Sequence, residues 1–171
     1  EIQEVGPIIY DATYYTNGVQ YQQPTDMQPT TVRSSIISLT GIDNAQLYYS
    51  NSLVGNFLKV EMFDDGLHDD NIAADGIFGA SIPGFAAGSW VRFYVQAAAG
   101  NTAKSVTYFP PGAEHNVFIY TVAPIASSDS SIVINEVMAT NASAVADNAG
   151  EFDDWIELYN KSNSPVDISG Y

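Results

Sequence analysis

The chain has 171 residues, enough for one large or two small domains, and its hydrophobic content of 46% is ample for packed cores. Twenty Asp and Glu face only 5 Lys and Arg, so the net charge of −15 excludes nucleic acid and anionic membrane surfaces as expected partners. Cysteine is absent, which excludes thiol catalysis and disulfides, and no apolar run is long enough to span a membrane.

The first half of the chain predicts short β-strands separated by turns. Residues 11–30 are polar and rich in Gln, Thr and Pro, and Asn17-Gly18 within them is a turn signal. Residues 57–62 alternate, with Leu58, Val60 and Met62 on one face, which is typical of a half-buried strand. The strands predicted in this half cover residues 6–10, 31–39, 45–50 and 57–62.

The second half continues the pattern and completes a prediction of the fold. Its strands are predicted at residues 76–83, 90–97, 105–109 and 116–122. About eight short strands with frequent turns and no helical period predict one two-layer antiparallel β-sandwich. We expect its inner layer to contain Leu58, Val60, Val91, Phe93 and Val95. Arg92 should point outward beside Trp90 and Tyr94, because an unpaired buried guanidinium is costly.

The best candidate site is an acidic loop that places five carboxylates within twelve positions, with His68 and Asn71 among them: Asp64, Asp65, Asp69, Asp70 and Asp75. Hard cations such as Ca²⁺ take oxygen ligands from flexible loops of this kind, so the cluster predicts a calcium site. The spacing does not match the EF-hand pattern. In the alternative interpretation, Asp-Gly pairs form turns whose carboxylates cap local N–H groups, and the overall acidity only keeps an exported protein soluble.

Other polar residues give weaker predictions. Asp147, Glu151, Asp153 and Asp154 precede Trp155 and are interpreted as a solvated hairpin loop. The two histidines, His68 and His115, accompany no nucleophile motif. Short sandwich strands offer no deep groove for a pair of glycosidase carboxylates. The residues therefore predict that the chain is not an enzyme.

Aromatic side chains on the predicted strands raise a carbohydrate-binding alternative. Trp90, Tyr94, Tyr48 and Tyr49 would offer flat rings to sugar faces if they were exposed. At strand spacing, such residues more often belong to the core or form cross-strand pairs. The sequence leaves both interpretations open.

The end of the chain resembles the opening of a bacterial lamin tail domain. Three blocks carry the resemblance, in the right order and spacing: INEVM at 134–138, EFDDWIELYN at 151–160 and VDISGY at 166–171. The resemblance implies an immunoglobulin-like sandwich in a non-catalytic extracellular module. About forty residues of such a domain are present, so we expect it to be incomplete.

Residues 7–122 resemble an immunoglobulin/fibronectin-III-like repeat of large exported bacterial proteins, which often lies beside lamin tail and CotH-type kinase domains. The matching segments are Asp64-Asp65-Gly66, DGIF at 75–78, Ile82-Pro83, Gly88 and VRFYVQA at 91–97. No kinase motif is present, so the resemblance implies no kinase activity.

Together these observations predict an all-β chain with a sandwich at 1–123, a small polar linker at 124–131 and an incomplete lamin tail domain at 132–171. The predicted function is a non-catalytic structural or adhesion module of a larger exported bacterial protein, extracellular or at the cell surface. Its expected partners are other domains of the parent protein and a cell-surface protein or glycan. The alternative is a carbohydrate-binding accessory module of a secreted hydrolase.

Overall fold

The computed structural model describes residues 4–125 and 131–168. Every regular element in these ranges is a β-strand, and none of the described residues forms a helix that would cross a membrane. The strands are β1 Ile8–Ile9, β2 Thr13–Thr16, β3 Val19–Gln20, β4 Thr30–Ile37, β5 Ile42–Ser50, β6 Leu58–Met62, β7 Ile77–Ile82, β8 Trp90–Ala99, β9 Val106–Phe109, β10 Phe118–Thr121, β11 Ile132–Met138 and β12 Trp155–Asn160.

The described residues separate into two compact units, and the division follows Ile125. Strands β1 to β10 belong to the first unit, and β11 and β12 belong to the second. The linker predicted at 124–131 falls largely on residues 126–130, which lie outside the described residues. The end of the last lamin-like block, residues 169–171, also lies outside them.

The first sheet is built around β4, which pairs antiparallel with β1, β2 and β7. Strand β3 joins β2 through a two-residue hairpin at Asn17 and Gly18, whose φ angles are 51° and 76°. Two left-handed residues give the twist that a tight hairpin needs, and Asn-Gly is the preferred pair. The sequence showed this turn, but it did not predict the strands on either side of it.

The second sheet is built around β8, the longest strand, which has ten residues. One edge of β8 pairs with β5, and β6 continues the sheet beyond β5. The first part of β8 also pairs with β10 and the later part with β9, in antiparallel register throughout. Long strands of this kind follow from the alternating Val, Phe and Tyr of the segment, which suit a pleated surface.

The two sheets of the first unit pack face to face on one hydrophobic core, so the prediction of an all-β antiparallel sandwich is confirmed. Val91, Phe93 and Val95 are buried as expected, and Val60 packs against the core. The prediction for Leu58 is wrong, because its side chain is 63% exposed. Burial increases along the edge strand β6 from Leu58 to Met62, so only the end of this strand reaches the core.

Arg92 lies on the outer face of the second sheet, as predicted. Its Nε donates to the carbonyl oxygen of Ser52 at 2.6 Å, and a terminal nitrogen donates to the carbonyl oxygen of Gly55 at 3.3 Å. The guanidinium also lies 4.6 Å from the centre of the Phe57 ring. The charge is therefore satisfied at the surface by backbone dipoles and by the face of an aromatic ring.

The second unit is an antiparallel hairpin of β11 and β12 with a register shift between Ile134 and Glu136. Ile134 and Val137 on β11, and Ile156 and Leu158 on β12, are exposed. Two-stranded sheets are marginal by themselves in water, because they bury little apolar surface. The apolar residues of this unit thus contribute little to a core of its own.

Candidate functional site

The acidic loop connects β6 to β7 and is closed at its base by Asp64. The two carboxylate oxygens of Asp64 accept the N–H groups of Asp75 at 3.1 Å and Gly76 at 2.9 Å. The carbonyl oxygen of Asp64 also accepts the N–H of Ala74 at 3.3 Å. One residue therefore joins both ends of the loop, and its carboxylate caps backbone donors that no strand partner satisfies.

The chain between these ends is tightly coiled and lies on the first sheet. Positive φ angles occur at Gly66, Asp69, Asn71, Ala74 and Gly76. Gly79 of β7 lies directly under the loop, because a Cβ atom at this position would come within 2.2 Å of the His68 carbonyl oxygen. Only a residue without a side chain permits so close an approach of two backbones.

Asp65 and His68 form the exposed side of the loop. Asp65 Oδ1 accepts the N–H of Leu67 at 2.9 Å and lies 3.0 Å from Nδ1 of His68. The hydrogen bond from His68, followed by the one from the backbone of Leu67, lowers the pKa of the Asp65 carboxyl. The imidazole stacks on Phe63 with ring centres 4.4 Å apart, so the histidine is held in place.

The other three aspartates bond to different parts of the chain. Asp69 accepts the hydroxyl of Thr31 on β4 at 2.7 Å, and Asp75 accepts the N–H of Ile77 at 2.9 Å. Asp70 is fully buried, with 0% exposure, and its Oδ2 accepts the N–H of Gly66 at 2.8 Å. The second oxygen of Asp70, Oδ1, is buried without a hydrogen-bond partner.

These contacts are those of the turn-capping alternative, since all five carboxylates accept hydrogen bonds from the loop or the adjacent strand. Within the described ranges, the one group of three acidic or histidine side chains whose ligand atoms lie within 4.8 Å is Asp147, Glu151 and Asp153. The five loop carboxylates are thus not gathered into a ready-made cage. Calcium binding at the loop stays a prediction, and it depends chiefly on the unpartnered oxygen of Asp70.

The second acidic cluster has the geometry of a hairpin loop. Asp147 Oδ1 accepts the N–H groups of Ala149 and Glu151, each at 2.8 Å. Asp154 Oδ1 accepts the N–H of Asn141 at 2.9 Å. Asp147, Glu151 and Asp153 are exposed, so water solvates their charges. This arrangement fits the solvated loop that the sequence predicted.

The four aromatic residues considered for sugar binding do not share one exposed surface. Tyr94 is buried and stacks on Tyr48, with ring centres 4.7 Å apart and planes 5° from parallel. Burial, followed by the charge of Glu114, raises the pKa of the Tyr94 phenol. Tyr49 packs against the core and Phe85, which leaves Trp90, at 48% exposure, as the open ring.

A polar cavity of about 160 Å³ on the outer face of the first sheet was not predicted. It lies where β2 and β4 pair, next to the acidic loop, and its lining includes Asp11, Thr13, Tyr15, Arg33, Ser35 and Asn71. The sequence placed no strand at residues 13–16, so nothing in it brought Tyr15 beside Arg33. The alternation of Thr31, Arg33 and Ser35 along β4 was the one available signal.

A sequence model of the second Ig-like domain of conditioned medium factor matches residues 19–108, from β3 into β9. A search of curated proteins found no match. Among solved structures, the chain is similar to the C-terminal domain of wzt, with 15% sequence identity and a TM-score of 0.45. That comparison covers 95% of this chain and 84% of the other.

Proposed function

Because the chain belongs to the family of the second Ig-like domain of conditioned medium factor, we propose that it is a structural and adhesion module of a larger exported bacterial protein. Its fold is an Ig-like β-sandwich, and Ig-like families are generally non-catalytic. The observation that carries the proposal is the closed core of the first unit, which both sheets build. A unit with a core of its own is suited to spacing or presenting other domains.

An extracellular or cell-surface location is part of the proposal. Two observations support it: the matched family takes its name from a conditioned medium factor, and the end of the chain resembles a lamin tail domain. Residues 132–171 would be the first part of that domain. In support, β11 and β12 coincide with two of the three resembling blocks, and their exposed apolar side chains suit contacts with other domains of the parent protein.

Truncation after Pro124 tests whether the module is autonomous. All residues of the hydrophobic core lie between Ile9 and Val122, so the shortened chain should fold and melt within about 2 °C of the first transition of the full chain. Loss of the exposed hairpin should also make the protein more uniformly monomeric in size-exclusion chromatography. A shortened chain that is unfolded by circular dichroism would overturn the two-unit organisation and the proposal of an independent module.

Calcium at the acidic loop is a further part of the proposal, and Asp70 supports it. An ionised carboxylate that is buried with an unpartnered oxygen costs free energy, and a bound cation would offset that cost. Carboxylate and backbone carbonyl oxygens are the ligands that Ca²⁺ takes. Asp70 would supply one such oxygen from a loop whose other four carboxylates add negative potential.

A thermal melt with calcium and with chelator checks this part. Binding to the folded state alone should raise the free energy of unfolding by about 2.7 kcal/mol when calcium is at a hundred times its dissociation constant. Asp70→Asn should weaken the response strongly, since an amide oxygen can still bind Ca²⁺ but lacks the negative charge of the carboxylate. Glu151→Gln, in the exposed cluster of the other unit, should leave it intact. Identical melts with calcium and chelator would leave the loop as a set of capped turns.

A further inference from the structure

The polar cavity on the first sheet has the features of a small binding site. Its volume of about 160 Å³ has room for roughly five water molecules at liquid density or for one compact polar ligand. The side chains around it come from segments that are distant in the sequence: Asp11 before β2, Arg33 and Ser35 on β4, and Asn71 in the acidic loop. The fold therefore brings together polar groups that are not neighbours in the sequence.

Arg33 is the unusual member of this set. Nothing in the described part of the chain accepts a hydrogen bond from its guanidinium, and the Nε atom is buried without a partner. The group lies 4.6 Å from the centre of the Tyr15 ring, which holds it in place without using its donors. The terminal N–H groups of Arg33, at the wall of the cavity, remain available to a ligand.

Arg92 provides an internal comparison on the other sheet. Its guanidinium also lies 4.6 Å from an aromatic ring, that of Phe57, but it donates to the carbonyl oxygens of Ser52 and Gly55. The same chain thus satisfies one stacked arginine with its own backbone and leaves the other, Arg33, unsatisfied at the wall of a cavity. The donors that a ligand in the cavity would meet are the terminal N–H groups of Arg33, because Nε itself is buried.

Acceptors stand in the same cavity and are fixed in position. Asp11 Oδ1 accepts the N–H of Ser35 at 2.7 Å, and the carbonyl oxygen of Asp11 accepts the hydroxyl of Ser34 at 2.6 Å. The carboxylate is therefore oriented by the backbone, and its other oxygen is free for a ligand. Asn71, held at a positive φ of 77°, adds an amide that both donates and accepts.

This combination selects the chemistry of the ligand. A simple anion would be attracted by Arg33 but repelled by the carboxylate of Asp11. A simple cation would be attracted by Asp11 but repelled by the guanidinium of Arg33. Hydroxyl groups both donate and accept, so a polyol satisfies an arginine, an aspartate and an amide together. The Tyr15 ring and Ile77 supply apolar walls for the C–H surfaces. We propose that this cavity binds one neutral sugar residue of a glycan.

The proposal deepens the adhesion role, on which it rests, by naming the class of ligand. The adhesion role and the sugar site can fail separately. The folding of the truncated chain tests whether the first unit is an independent module, and it does not depend on ligand binding in the cavity. Saturation-transfer NMR on the 171-residue chain is the first measurement, with glucose, galactose and mannose as neutral probes, and glucuronate and acetate as anionic ones. Saturable transfer to at least one neutral sugar is expected, and acetate should show none.

Matched variants locate the binding. Arg33→Lys loses the planar fork of donors and should weaken sugar binding at least tenfold, whereas Arg92→Lys should leave it unchanged. Asn71→Gly removes the side-chain amide but keeps the backbone freedom that a positive φ requires. It should also weaken binding, so the proposal can still be tested if Arg33→Lys fails to fold. Binding of the anionic probes alone, binding unaffected by both cavity variants, or no binding of any neutral sugar would overturn the proposal.

Discussion

Replacing Phe93 with alanine is expected to lower the free energy of unfolding of the first unit by about 3–5 kcal/mol. The side chain is 1% exposed and lies between the sheets. Its ring meets Phe118 at 5.1 Å between centres, Tyr120 at 6.2 Å and Tyr14 of the opposite sheet at 6.3 Å. Alanine would leave a cavity at the contact that joins both layers, and the rigid strands around it cannot collapse to fill the space.

Urea unfolding followed by tryptophan and tyrosine fluorescence would measure this loss as a shift of the midpoint with an unchanged slope. Phe152→Ala is the matched control, since that phenylalanine is 44% exposed in the second unit and should change stability by less than about 0.5 kcal/mol. Equal losses for both variants would mean that Phe93 is not part of a specifically packed core.

Much of this core was accessible to sequence analysis, because alternation along a strand reports which side chains face inward. Val91, Phe93 and Val95 follow that rule in a central strand, where both neighbours fix the position. Leu58 follows the same alternation but begins an edge strand, and alternation does not show where a strand enters the core. Periodicity shows which side chains of a strand point inward. How deeply each of them is buried depends on where the opposite sheet covers the strand.

The hairpin of β2 and β3 shows a second limit of sequence analysis. Its turn was visible at Asn17-Gly18, but the flanking residues are mostly Thr, Tyr and Gln and carry no apolar alternation. They form strands because β4 offers a free edge to pair with, which is a tertiary contact. The cavity beside Arg33 depends on this pairing, so the site could not be predicted once the strand had been missed.

The acidic loop was also only partly predictable from the sequence. Its composition and position could be predicted, but the direction of each carboxylate could not. That direction depends on left-handed backbone at Asp69, Asn71 and Ala74, where side-chain-bearing residues seldom adopt positive φ. The tight packing of the loop on the sheet imposes these conformations. Gly79 makes that packing possible, so a side chain at this position should have a large effect on stability.

Gly79→Ala is expected to displace the acidic loop from the first sheet and to lower the free energy of unfolding by about 1–3 kcal/mol. The added Cβ would lie 2.2 Å from the His68 carbonyl oxygen and 3.1 Å from the Asp70 backbone nitrogen, which are atoms of a fixed backbone. Gly79 itself cannot retreat, because its N–H and C=O bond to Phe63 at 2.8 Å and 3.0 Å. The loop must therefore move, and the buried contacts of Asp70 should open with it.

Two measurements separate this local effect from a general loss of stability. Amide hydrogen exchange should rise in residues 64–75 well before the melting transition, while exchange in β8 stays slow. Ser81→Ala, two residues along the same strand at an exposed position, should change neither exchange nor melting. If Gly79→Ala melts like the parent and its loop exchanges as slowly, the close approach of loop and sheet does not hold the acidic loop in place. In that case the unpartnered oxygen of Asp70 would no longer support the proposal of a calcium site, since its burial depends on the same packing.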